Sequence, residues 1–98
     1  MVYLIHFDQK LHHAQHYIGF VDEPVHKLEK RIEYHRKGKG SKLLRALVQK
    51  GIQFNVVRTW PDGDRNFERS LKNKKKASRF CPICNPKLNE KEKMEKEI

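Results

Sequence analysis

Cysteine is scarce in this chain. There are two among 98 residues, Cys81 and Cys84, in the turn-like segment Cys-Pro-Ile-Cys. One pair is too few for a disulfide scaffold. A structural zinc site needs four ligands, and all six histidines lie at or before His35. A zinc site at Cys81/Cys84 would require far-apart segments, or a second chain, to meet. The spacing therefore favours a tight turn with two reduced thiols over zinc. Long apolar runs are also missing, and without 18 consecutive apolar residues no membrane-spanning helix is expected. The N-terminus lacks the charged segment, apolar block and small-residue cleavage site of a secretory leader, so the expected location is cytoplasmic. No internal repeat is visible.

Acid is the second shortage. Lys and Arg total 22 against 12 Asp and Glu, a formal net charge of +10. Residues 87–98 hold four lysines and four glutamates and cancel, so the whole excess lies in residues 1–86. A small surface so positive repels itself and attracts polyanions. Nucleic acid is the expected partner, because neutralising its phosphates releases condensed counterions. An anionic membrane fits less well, since the basic segments lack a broad apolar face carrying Trp or Phe. The hydrophobic fraction of 37% supports one small core. One domain over 1–86 follows, with 87–98 as a charged tail or helix.

The pattern along the chain predicts an α+β fold in the order β-β-α-α-β-α. Val2 to Phe7 is short, apolar and rich in strand formers, Asp8 to His13 reads as a loop, and Gln15 to Val21 reads as a second strand. Asp22-Glu23-Pro24 is a helix start, and Val25, Leu28 and Ile32 then form one apolar stripe. Gly38 to Gly40 ends that helix. Ser41 caps a second, with Leu43, Leu44, Leu47 and Val48 inward and Gly51 at its end. Ile52 to Trp60 is the third strand, with Phe54, Val56 and Val57 as core candidates. Asp64 caps a third helix running to about Lys75, with Phe67 and Leu71 four apart. Together these give a small three-stranded antiparallel sheet flanked by helices.

Several residues carry chemistry. Arg31 and His35 are neighbours four apart on the first helix, an ordinary spacing on a solvated face. Arg31 precedes the apolar Ile32, so its stem can pack at the core edge while its fork meets a phosphate. Between Arg36 and Arg45 lie Lys37, Lys39 and Lys42 and no acid. Gly38 and Gly40 would expose backbone N–H groups there, and Ser41 opens a helix whose positive end suits a phosphate. Glu68 is the one acid between Arg65 and Asn89, followed by Arg69, Lys72, Lys74, Lys75, Lys76 and Arg79. It could pair with Lys72 at i+4, or bring Mg²⁺ into a phosphate-binding surface, since Mg²⁺ often takes one or two carboxylates plus substrate oxygens and water. Tyr3 and Tyr17 fall on adjacent strands. There a tyrosine packs at the core edge or orients and deprotonates a nucleophile.

Taken together, these residues resemble the GIY-YIG nuclease family. Tyr17-Ile18-Gly19 matches the second half of the name, while Met1-Val2-Tyr3 keeps only the tyrosine of the first. Leu28-Glu29-Lys30-Arg31-Ile32-Glu33-Tyr34-His35, followed by Gly38-Lys39-Gly40-Ser41-Lys42, is similar to the family's first helix and the loop after it. Glu68 with Leu71-Lys72 is similar to its glutamate helix. The likeness covers roughly residues 1–84. It implies hydrolysis of a DNA phosphodiester by a one-metal mechanism. Glu68 would hold Mg²⁺ or Mn²⁺, and Arg31 would stabilise charge on the phosphate. Tyr3, Tyr17 and His35 would arrange and deprotonate the attacking water, with Tyr3 as general base relayed through His35. Asn73 and Asn85 are candidates for the late asparagine of the family, though neither spacing matches well. The segment between Gly19 and Arg31 is longer than is usual in the family, and no appended recognition domain is apparent. Arg36, Lys37, Lys39, Lys42, Arg45, Lys72 and Lys75 are the expected nucleic-acid contacts, and duplex, branched or nicked DNA and RNA all fit. Specificity would come from these basic surfaces, a homodimer or a partner protein. The alternative is a basic nucleic-acid-binding module that does not cut.

Overall fold

The computed structural model describes residues 1–22 and 25–86, with Val25 and His26 described by backbone alone. The expected helix start at Glu23-Pro24, the inward packing of Val25 and the charged segment 87–98 lie outside the described residues. The elements are β1 (Val2–Leu11), β2 (Ala14–Phe20), α1 (Val25–Arg36), α2 (Lys42–Gln49), β3 (Phe54–Trp60), α3 (Arg65–Lys74) and α4 (Ala77–Phe80). The sheet is antiparallel throughout, in the order β2-β1-β3. This is the α+β architecture expected from the sequence, with one short helix added at the end.

β1 is the central strand, and Val2 to Phe7 are all buried. Such a strand reads as a continuous apolar run because a layer of side chains covers each face. Tyr3, Ile5 and Phe7 pack with Leu28, Ile32, Leu44 and Leu47 beneath α1 and α2. Val2 and Leu4 pack with Ile18, Leu71 and Cys81 beneath α3 and α4. β1 continues to Leu11, so the expected loop over Asp8–His13 shrinks to the connection His12-His13 between Leu11 and Ala14. Asp8, Gln9 and Lys10 are exposed on this extension. Their polarity, which reads as a loop, belongs to a strand end that overhangs the core. On the other edge, the β1–β3 register slips between Leu4 and Ile5. That bulge leaves Val57 without a partner on β1, and by strand alternation Val56 packs beneath α1–α2 while Val57 packs beneath α3–α4.

The helix ends follow their capping residues. Ser41 Oγ accepts from Leu44 N at 3.3 Å, and Asp64 Oδ1 accepts from Phe67 N at 2.8 Å. α1 closes when Gly38 N donates to the His35 carbonyl at 2.9 Å and Lys39 N to the Tyr34 carbonyl at 3.3 Å. Gly38 sits at φ +79° in this closure, a left-handed position where glycine carries no Cβ penalty. This corrects one expectation: the Gly38 N–H is committed to ending α1 and is not offered to a phosphate. β3 begins at Phe54 rather than Ile52. Among the described residues no helix is long and apolar enough to cross a membrane.

Candidate active site and a second side-chain cluster

Tyr3 lies in the middle of the sheet with its ring crossing β2 at Gly19, its pairing partner. A Cβ at Gly19 would overlap Tyr3 Cζ and Oη and lie 2.8 Å from Cε1. Only a residue without a side chain lets that ring pass and carry its hydroxyl to α1. There, Tyr3 Oη lies 3.1 Å from His35 Nε2, and both residues are buried.

The direction of that hydrogen bond follows from the other ring nitrogen. His35 Nδ1 lies 3.3 Å from the Lys39 carbonyl oxygen. A carbonyl only accepts, so Nδ1 carries the proton and Nε2 presents its lone pair to the Tyr3 hydroxyl. The loop can approach because Gly40, at φ +87°, has no side chain. A Cβ there would meet His35 Cε1 and Nδ1 at 3.2 Å. The glycine-rich loop thus serves to seat Lys39 on the histidine.

Electrostatics follow from this burial. Desolvation lowers the His35 pKa, Arg31 lowers it further, and the bond to Lys39 opposes both. Burial also raises the Tyr3 hydroxyl pKa. Tyr17 and Glu68 add to that rise, and Arg31 opposes it. Tyr17 is raised by burial and then by Glu68, again against Arg31. The ring centroids of Tyr3 and Tyr17 are 6.3 Å apart, and those of Tyr17 and His35 are 5.6 Å apart. Arg31 and Glu68 both act on the Tyr3 and Tyr17 hydroxyls, and Arg31 also acts on His35, so side chains from β1, β2, α1 and α3 meet around the two tyrosines. His35 belongs to the buried stripe of α1 with Leu28 and Ile32, whereas Arg31 is exposed. The two do not share a solvated face.

The surroundings are basic. Arg31 opens onto a cleft of about 430 Å³ lined with Lys27, Lys30, Tyr34, Val21 and Asp22. Nothing in the sequence sets Lys27, Lys30 and Tyr34 apart as cleft residues, because the first helix carries polar groups on several sides. Lys72 pairs with Glu68 at 3.6 Å, the i, i+4 ion pair anticipated as the plain alternative, and its Nζ also lies 5.9 Å from the Tyr17 ring centre. Lys75 borders a groove with Tyr17 and Lys72. Lys39 approaches Tyr34 at 6.0 Å. Arg45 Nε donates to the Gly38 carbonyl at 3.0 Å, and Lys42 is exposed at the start of α2. Arg36 does not join this group: it donates to Asn55 on β3 at 3.2 Å, at the sheet edge opposite Tyr17. Lys37 pairs with Glu33 at 3.6 Å on the exposed side of α1. Asn73 is exposed, and Asn85 is tied to the Arg79 carbonyl at 3.0 Å in the cysteine turn.

A second cluster lies on the opposite face of the sheet. His6 pairs across the strands with His16, and Cys81 and Cys84 approach both from the turn after α4. The atoms His6 Nδ1, His16 Nε2, Cys81 Sγ and Cys84 Sγ all lie within 4.8 Å of one another, a group able to hold a metal ion. This overturns the expectation of an isolated thiol pair. The histidines are distant in sequence, but the β1–β2 pairing carries two of them to the cysteines within one chain, so no second chain is required.

In comparisons with known proteins, no family model, curated protein or solved structure matches this chain.

Proposed function

We propose that this chain is a divalent-metal-dependent DNA endonuclease of the GIY-YIG kind, hydrolysing phosphodiesters. The observation that carries the reading is the buried chain from Tyr3 Oη to His35 Nε2 to the Lys39 carbonyl. A tyrosine needed only for packing could leave its hydroxyl in water at the sheet edge. Here the hydroxyl instead faces an unprotonated imidazole nitrogen, with an arginine and a carboxylate acting on it. Water held against Tyr3 Oη can pass its proton to that oxygen as the Tyr3 proton moves to His35 Nε2. The relay never requires a free tyrosinate, which the raised Tyr3 pKa disfavours. Lowering of the His35 pKa keeps Nε2 available near neutral pH.

Arg31, exposed at the basic cleft, would neutralise charge gathering on the phosphate oxygens, commonly the largest electrostatic contribution in such reactions. Glu68 suits a hard cation. Its side chain is 20% exposed, its ion pair with Lys72 is long, and one carboxylate with water and phosphate oxygens is a donor set that Mg²⁺ accepts. A cation bound there would supply positive charge to the phosphate. Lys72 and Lys75 beside Tyr17, with Lys39, Lys42 and Arg45 beyond His35, would grip the DNA backbone.

The test is cleavage of supercoiled plasmid and of branched DNA with Mg²⁺, comparing wild type with Glu68→Ala. Cleavage by wild type, lost in the variant while salt-dependent binding persists, is expected. Binding without cleavage in both would leave only a basic nucleic-acid-binding module.

A further inference from the structure

We propose that His6 Nδ1, His16 Nε2, Cys81 Sγ and Cys84 Sγ bind one structural zinc ion that fastens the C-terminal turn to the N-terminal hairpin.

The distances carry the proposal. His6 Nδ1 lies 3.3 Å from His16 Nε2, 3.5 Å from Cys81 Sγ and 3.6 Å from Cys84 Sγ, and Cys84 Sγ lies 3.4 Å from His16 Nε2. Hydrogen bonding cannot account for this set. One ring nitrogen has either a single proton or a single in-plane lone pair, yet three polar atoms crowd His6 Nδ1. Four atoms aimed at a common centre have another explanation. Zinc bonds of about 2.3 Å to sulfur and about 2.05 Å to nitrogen, at tetrahedral angles, put nitrogens about 3.3 Å apart and nitrogen about 3.6 Å from sulfur. The observed separations match that shell.

The chemistry agrees with the geometry. Two thiolates and two imidazoles form a soft, tetrahedral donor set that selects zinc over hard cations. On binding, each cysteine S–H bond gives way to an S–Zn bond and its proton leaves to water. The imidazoles contribute neutral lone pairs. The dication and two thiolates then sum to zero, which suits a place where Cys81 is fully buried and His6 nearly so. All four positions are filled by protein, with none left for water or substrate, so the role is structural.

Local structure supports it. His6 and His16 are direct cross-strand partners, so the sheet pre-orients half the site. The cysteine turn is held by Asn85 N donating to the Cys81 carbonyl at 2.8 Å, and Arg58 on β3 holds the Phe80 carbonyl at 3.2 Å. The ion would join residues more than 70 positions apart, and α4, a helix of four residues, would gain the anchor that its length denies it. The site shares no residue with the proposed nuclease centre and does not depend on that reading.

Protein purified without chelator under a non-thiol reductant should carry one equivalent of zinc. Cobalt substitution should give intense tetrahedral bands with thiolate charge transfer. Stripping the metal should lower the melting midpoint by more than about 10 °C, reversed by added Zn²⁺. Cys84 is exposed, so Cys84→Ser should fold. It should lose the charge-transfer intensity of one thiolate and bind zinc at least tenfold more weakly. Four results would each overturn the site: wild type with neither bound zinc nor a melting response to Zn²⁺; a weak, six-coordinate cobalt spectrum; a zinc content that matches no chain stoichiometry; or Cys84→Ser with unchanged affinity and spectrum.

Discussion

Replacing Tyr3 with phenylalanine isolates one atom. The ring stays, and with it the packing against Ile5, Leu28 and Ile32. What disappears is the hydroxyl, 3.1 Å from His35 Nε2, between two residues exposed by only 1% and 2%. A neutral hydrogen bond of this kind is worth about 1 kcal/mol net, and leaving a buried acceptor unpaired costs about 1–3 kcal/mol. The His35 nitrogen cannot recover a partner by turning, because its far side is tied to Lys39. Tyr3→Phe should therefore destabilise the fold by about 2 kcal/mol, lowering the melting midpoint by roughly 10 °C in a domain this size. Urea denaturation measures the first quantity and calorimetry the second. Under conditions where the variant remains folded, loss of a positioned proton acceptor should slow plasmid cleavage by about 10²–10⁴-fold. DNA affinity should be unchanged. A variant as active as wild type would remove the relay, and a stability loss under about 0.5 kcal/mol would show that water replaces the hydroxyl at His35 Nε2.

Gly19→Ala tests the crossing of Tyr3 over β2. The added methyl overlaps the far end of the buried Tyr3 ring, so an overpacking loss of about 1–3 kcal/mol is expected in denaturant, and Gly19→Ala in a Tyr3→Ala background should recover much of it. The pH dependence has a definite sign. His35 is held below its ordinary 6.5 in the folded state, so below about 6.5 the unfolded chain binds that proton more readily, and stability is lost as pH falls through the folded value. Cleavage should fall over the same window, and the stability advantage of wild type over His35→Gln, measured by denaturation at several pH values, should be constant above about pH 7 and shrink as pH falls below about 6.5. An advantage that grows as pH falls below about 6.5 would refute the neutral imidazole.

The legible parts of this molecule were those written in local chemistry. Ser41 and Asp64 cap their helices as their positions suggested, and Leu44, Leu47 and Leu71 are buried where the helical period placed them. Two kinds of feature were hidden. One is structure with little periodic content: α4 spans four residues, and the overhanging Asp8–Lys10 strand is polar because nothing covers it. The other is register. A pairing of Tyr3 with Gly19 obliges His6 to face His16 three steps on, since each step along one strand is a step back along its partner. Nothing in the cysteine turn itself announced that it would fold back onto those histidines. The His35 tautomer likewise depends on where a loop carbonyl settles.

The two clusters are bound together by that same register. β1 sends Tyr3 to the α1–α2 side and His6 to the α3–α4 side, because three residues along a strand reverses the face. A slip of one residue would exchange faces throughout β1. It would put Leu4 beneath His35, turn the Tyr3 ring toward Leu71, and carry His6 away from both sulfurs. Neither cluster could survive the slip that destroyed the other. A cross-strand His–His pair completed by two thiols from the far end of the chain would resist that slip midway along the β1–β2 hairpin, and the Tyr3 crossing at Gly19 resists it near the open end. A metal bound at the histidine–cysteine cluster would therefore support the geometry of the Tyr3–His35 pair through the sheet between them, without touching it.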